Sequence, residues 1–150
     1  MNIKKSFEKD VQSAHAMSYF NLLRTANWIE IGIKEALKPF GLTHVQLNVL
    51  SILVSNYPNA VTAGEIKENI IVASPDVTRL IDRLVKKGFV RRETCPNNRR
   101  QMDITITKIG MDHFYRAHFE AKKAMGNFFE DTISKQEAVQ LYKTLEKIRR

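Results

Sequence analysis

Eight cations fall between residues 74 and 100: Arg79, Arg83, Lys86, Lys87, Arg91, Arg92, Arg99 and Arg100. Asp76, Asp82 and Glu93 are the only acids among them, so this stretch holds +5 of the chain's net +8. Guanidinium and ammonium groups donate hydrogen bonds and never accept them, so a cluster of them suits carboxylates, phosphates or the acceptor edges of bases. Two readings fit: a polyanion-binding surface, or a solvated face that keeps the chain soluble. Charge alone leaves both open. Catalysis finds less to build on. The glycines at 32, 41, 64, 88, 110 and 126 are scattered and form no phosphate-cradling loop. His113 and His118 would sit roughly 140° apart on a helix, awkward for a shared metal. His15 and His44 have no acid or cysteine close by in sequence. No catalytic residue, metal or cofactor is expected.

Two of the cations sit in a distinctive setting. In "TCPNNRRQMDI", Thr94 through Ile104, Pro96-Asn97-Asn98 carries turn chemistry, because proline presets φ and asparagine tolerates the left-handed region. Met102, Ile104 and Ile106 then alternate with Asp103 and Thr105, the period of a strand with one apolar face. A hairpin follows, with strands at about 89–94 and 101–106 and with Arg99 and Arg100 at its tip. Their counter-charge is either a nucleic acid or one of Asp82, Asp103 and Glu93.

Elements that would hold this hairpin are marked by caps and stops. Thr43…Gln46, Thr62…Glu65 and Ser134…Glu137 read as helix starts, with a hydroxyl at the N-cap and a Glu or Gln three residues on. Ser74-Pro75-Asp76 reads as another, with proline at the first helical position. Pro39 with Gly41, Asn56 with Pro58, and Gly88 after Lys86-Lys87 read as stops. Between these marks the apolar spacing is helical. A first helix over about 9–38, about 45 Å long, carries Val11, Met17, Phe20, Leu23, Trp28, Ile31 and Leu37 on more than one face. Further helices are expected at about 43–56, 62–70, 74–87, 107–131 and 134–148. The order is α-α-α-α-β-β-α-α, a mainly α fold with a small β-hairpin.

In the helix at 74–87, Val77, Leu80, Ile81, Leu84 and Val85 take the inward spacing and leave Asp76, Thr78, Arg79, Asp82, Arg83 and Lys86 outside. Residues 62–70 and 74–87, joined by Ile71-Val72-Ala73, therefore have the form of a helix-turn-helix. The major groove, about 12 Å wide, admits one helix and offers acceptors to arginine and both partners to threonine. Residues near the helix start reach bases, whereas Arg83 and Lys86 lie better for phosphates. Ser74 and the helix N-terminus add N–H donors suited to phosphate. A hairpin directly after this helix makes a winged helix, whose arginines can enter the narrow minor groove. The expected contacts with double-stranded DNA are Ser74, Asp76, Thr78, Arg79, Arg83, Lys86, Arg99 and Arg100. The alternative is a winged helix whose basic face meets protein or RNA.

Val61 through Gly110 resembles the helix-turn-helix and wing of the MarR family of bacterial regulators. The resemblance rests on Val77-Thr78-Arg79-Leu80-Ile81-Asp82-Arg83-Leu84, on Lys87-Gly88-Phe89-Val90, on Arg99-Arg100 and on Ile106-Thr107-Lys108-Ile109-Gly110. Flanking helices match in number and order, so the resemblance extends over nearly the whole chain. It implies a transcriptional regulator, usually a repressor, that binds a pseudo-palindromic operator as a homodimer. Its lobe would span about 42–108, with dimerisation helices at about 1–38 and 109–150. It also implies Arg79 and Arg83 as recognition-helix contacts, Arg100 as the wing-tip arginine, and release by a small phenolic or lipophilic effector. One departure is visible: Asn98 stands where the family usually has an aspartate, which puts the rigidity of the wing in question. Redox-sensing relatives use a cysteine in the first helix; here Cys95 lies in the wing, where a passive role is expected.

With 43% hydrophobic and 27% charged residues the chain is globular. No run of uncharged apolar residues is long enough to span a membrane, and "MNIKKSFEKD" lacks the apolar stretch of a secretory signal. A lone cysteine suits a reducing compartment. The expected location is the cytoplasm.

Overall fold

Thr43, Thr62 and Ser134 each begin a helix by the same reciprocal device. Each hydroxyl oxygen accepts the N–H three residues on, at 3.2, 3.2 and 3.3 Å, and that residue's side chain accepts the N–H of the cap. A computed structural model describes residues 13–71, 76–96 and 98–149 of the 150, with the backbone alone at 99, 100 and 125–129. Its elements are α1 (Ala14–Leu37), α2 (His44–Asn56), α3 (Ala63–Asn69), α4 (Val77–Lys86), β1 (Val90–Cys95), β2 (Asn98–Ile106), α5 (Lys108–Thr132) and α6 (Lys135–Ile148). This is the expected order, and the fold is a winged helix, mostly helical with a two-stranded hairpin. A short 3-10 turn, Lys38–Phe40, joins α1 to α2 and ends at Gly41 with φ +61°, a conformation that favours glycine.

Three boundaries differ from expectation. α1 starts at Ala14, capped by the Ser13 hydroxyl; residues 9–12 lie outside the described residues. α4 starts at Val77 with Asp76 as its cap, so Asp76 takes the place expected of Ser74. Aspartate does so because its carboxylate reaches the Arg79 N–H at 3.0 Å. Ser74 and Pro75 lie outside the described residues. Finally, β2 starts at Asn98 rather than near 101, because Cys95 pairs with Asn98 across a register shift after Thr94. Arg99 and Arg100 therefore lie within the return strand, between the Cys95–Asn98 and Thr94–Met102 pairs.

The core runs through the centre of the chain. Ile33 and Leu37 from the end of α1 join Leu47, Leu50 and Leu53 of α2, Ile66 of α3, and Ile81 and Leu84 of α4. Phe114, Ala117 and Ala121 close it from the first half of α5, where small residues let α1 and α5 approach. Val61, just before α3, forms a two-way backbone bridge with Ile104 at 2.9 Å, which fixes the hairpin's root to the helix-turn-helix. At the other side of that root, Gly110 of α5 meets the Phe89 backbone so closely that an added Cβ would lie 2.0 Å from the Phe89 carbonyl oxygen.

Two of the histidines that sequence spacing left without chemistry, His113 and His118, make ring contacts. His113 stacks on Phe89 with ring centroids 4.3 Å apart, and its Nε2 lies 2.9 Å from the Phe40 carbonyl oxygen. Lys87 donates to the adjacent Gly41 carbonyl, so side chains from α5 and from the end of α4 grip the same turn. His118 stacks on Phe114. His44 does find an acid, Glu30 of α1, 2.6 Å away across the α1–α2 corner.

The long helices tell a different story at their surfaces. Met17, Phe20, Leu23 and Trp28 of α1 are each about half exposed, and α6 buries none of its side chains among the described residues. No described helix is long and apolar enough to cross a membrane.

Candidate nucleic-acid interface

α4 is short, and its faces divide as its period predicts except at Val85, which was expected inward and is exposed near the helix end. Val77, Ile81 and Leu84 are buried at i, i+4 and i+7, which turns Thr78, Arg79, Arg83 and Lys86 outward. From Thr78 to Lys86 the rise is about 12 Å at 1.5 Å per residue, comparable to the width of a major groove. Arg79 and Thr78 stand in the first turn; Arg83 and Lys86 stand in the last, where they also complement the negative end of the helix dipole.

Approach to α4 is set by α3 and by a tie from α2. α3 opens with Thr62, whose N–H and hydroxyl both donate to the Glu65 carboxylate, at 2.7 and 2.8 Å. Those bonds, the backbone one first, hold Glu65 below the usual carboxylate range. Past the end of α3, the Ile71 N–H donates to Asn48 Oδ1 at 2.7 Å, so a side chain from α2 grips the entry to the turn. Sequence reading passed over Asn48. Its signal was a lone amide inside the apolar run Leu47–Leu53, and a polar group there needs a partner.

Acids within the basic stretch are each engaged. Asp76 caps α4 with Oδ1 and pairs through Oδ2 with Arg79 Nε at 2.8 Å. Asp82 pairs with Arg92 of β1 at 2.8 Å and so joins α4 to the wing. Glu93 pairs with Arg91 at 3.0 Å. Two of the three acids weighed as internal partners for Arg99 and Arg100, Asp82 and Glu93, each meet a β1 arginine through one oxygen. The Asp82–Arg92 bridge joins residues ten apart on different elements, a pairing that no local spacing reveals. Cys95 is half-buried at the end of β1.

Ser74 and the side chains of Arg99 and Arg100 lie outside the described residues; of the other residues expected at the interface, Thr78, Arg79, Arg83 and Lys86 are exposed and Asp76 is partly so. Asp76, Thr78, Arg79, Arg83 and Lys86 come from α4 and its cap, and the wing stands beside α4 through Arg92.

Residues 42–102 match the model of the MarR family. That segment is therefore a MarR-family domain. A Bacillus cereus (strain ATCC 10987) protein described as an uncharacterized HTH-type transcriptional regulator is 27% identical over 133 residues, 89% of this chain and 87% of that one. The crystal structure of a MarR-family transcriptional regulator from Rhodococcus sp. RHA1 is 26% identical, with a TM-score of 0.74 over 91% of this chain and 95% of that one. The fold is also that of the transcriptional repressor CouR bound to a 23-mer DNA duplex, with a TM-score of 0.79, 20% identity, and coverage of 93% and 97%. The domain match and these likenesses are all to transcriptional regulators, and the fold is their winged helix.

Proposed function

We propose that this MarR-family regulator reads a pseudo-palindromic duplex operator as a homodimer in the cytoplasm, acts as a repressor, and has no catalytic activity. The observation that carries the reading is the exposed face of α4. Thr78, Arg79, Arg83 and Lys86 project from a helix whose other face is locked into the core, beside a basic wing. On this reading Arg79 and Thr78 meet base edges, Arg83 and Lys86 meet phosphates, and Arg99 and Arg100 follow the minor groove. Ser74 would add a phosphate contact next to the start of α4. Two copies are required because one α4 spans too few base pairs for an operator, and because α1 and α6 carry apolar surface that a single chain leaves open. Repression is supported by the shared fold with CouR, a repressor seen on DNA. Release by a small phenolic or lipophilic effector is the family habit and is proposed with it.

Selection of bound duplexes from random DNA is the test. The expected product is a pair of half-sites about one helical turn apart, bound with an affinity that falls linearly in log salt. Arg79→Ala should cost about 1–3 kcal/mol and relax base preference, whereas Arg100→Ala should lower the salt slope by about one. Equal binding to all duplexes, or preference for RNA, would favour the interaction-module reading instead.

A further inference from the structure

We propose that Asp76 is a positioning residue for base readout: it fixes the Arg79 guanidinium so that only its terminal edge faces the groove, and thereby selects guanine. The inference rests on the DNA-reading function proposed above. Asp76 uses both carboxylate oxygens on one residue, Oδ1 on the Arg79 backbone N–H at 3.0 Å and Oδ2 on Nε at 2.8 Å. Its two jobs are separable. The first caps α4; the second orients a side chain.

Arithmetic of donors decides what is left. A guanidinium has five N–H groups, one on Nε and two on each terminal nitrogen. With Nε committed to Asp76, the side-on approach through Nε is closed, and the end-on pair of Nη1 and Nη2 remains. That pair matches the O6 and N7 acceptors of guanine in the major groove. Adenine offers one acceptor and one donor there, so it would oppose an N–H with an N–H.

Stability does not account for the pair. The Arg79 and Asp76 side chains are 80% and 45% exposed, and an exposed pair of this kind contributes little in water. A carboxylate at the leading end of a DNA-facing helix would moreover repel phosphates unless a cation is bound to it. In a desolvated groove the same bond strengthens and keeps a flexible arginine in one rotamer at the moment of docking. Arg83, one turn further on, has no ion-pair partner among the described residues. It is suited to a phosphate, which accepts from many directions, and it serves as the internal control.

The test compares wild type, Asp76→Asn, Arg79→Ala and the double variant on the selected duplex and on duplexes substituted at each half-site position. Asparagine caps a helix as well as aspartate does, so Asp76→Asn keeps α4 and removes the charged clamp. Expected is a loss of about tenfold in preference for guanine at one position per half-site, with affinity for random DNA unchanged or raised. In the Arg79→Ala background, Asp76→Asn should change nothing further. Full discrimination retained by Asp76→Asn overturns the proposal and leaves operator binding standing. A further loss in the double variant makes Asp76 a direct base contact and overturns it as well. If the wild type selects no duplex, operator binding itself fails, and the clamp with it.

Discussion

α4 and α6 are helices of similar make with opposite fates. Both begin at a side-chain cap and both carry one apolar stripe. In α4 the stripe of Val77, Ile81 and Leu84 is buried within the chain, and Leu84 is fully enclosed. In α6 the stripe of Leu141, Tyr142 and Ile148 stays exposed, with Tyr142 at 64%. Apolar periodicity thus announces a helix and the direction it faces, yet says nothing about which chain supplies the cover. The contrast separates a surface finished by folding from one that folding leaves open.

The sharpest way to break this contrast is to enlarge a void under α4. Leu84→Ala should destabilise the chain by about 2–5 kcal/mol, read from chemical denaturation. A loss below 1 kcal/mol would mean that α4 is less firmly seated than its burial indicates. Tyr142→Ala on α6 should leave the unfolding midpoint almost unchanged at low concentration, while weakening self-association by about 1.5–3 kcal/mol if its ring is buried between copies. Sedimentation equilibrium measures this; an unaltered association constant would remove α6 from the interface. A smaller effect concerns how α4 is joined to the wing. Asp82→Asn breaks an exposed pair with Arg92 and should cost no more than about 1 kcal/mol of stability, although DNA affinity should fall because wing and helix no longer share one orientation. Equal losses in both quantities would make the bridge structural alone.

The smallest effect is one of pH, and it bears on α3 and α6 together. Glu65 and Glu137 are both held below the usual carboxylate range, chiefly by the backbone N–H of Thr62 and of Ser134. Because the folded values are the lower ones, the caps are fully effective above the unfolded carboxylate range and are lost as pH falls through the folded values. Circular dichroism between pH 5 and 2 should show modest fraying of both helices, with Glu65→Gln and Glu137→Gln removing that dependence.

Much of this molecule was legible from local chemistry. Thr43, Thr62 and Ser134 each sit where a hydroxyl and a Glu or Gln three residues on can satisfy each other, and all three helices start there. The outward face of α4 followed from its period alone. Ser74 misled because Ser-Pro-Asp offers two capping side chains, and which one caps depends on backbone angles rather than residue type; Asp76, at φ −133° and ψ 70°, does. The early start of β2 was hidden because Asn98 is turn chemistry by composition and strand by pairing, and a register shift at Thr94–Cys95 decides between them. Asp82 with Arg92, and Asn48 with Ile71, were invisible because they join elements whose adjacency is a product of the fold.

Gly110 gives the wing a fulcrum. With the first turn of α5 set directly against the Phe89 main chain, no compliant side chain separates lever from arm. β2 runs about 30 Å from this junction at 3.3 Å per residue, and α5 about 37 Å at 1.5 Å per residue. Any side chain at position 110 would therefore have to push the root of the wing away from α5.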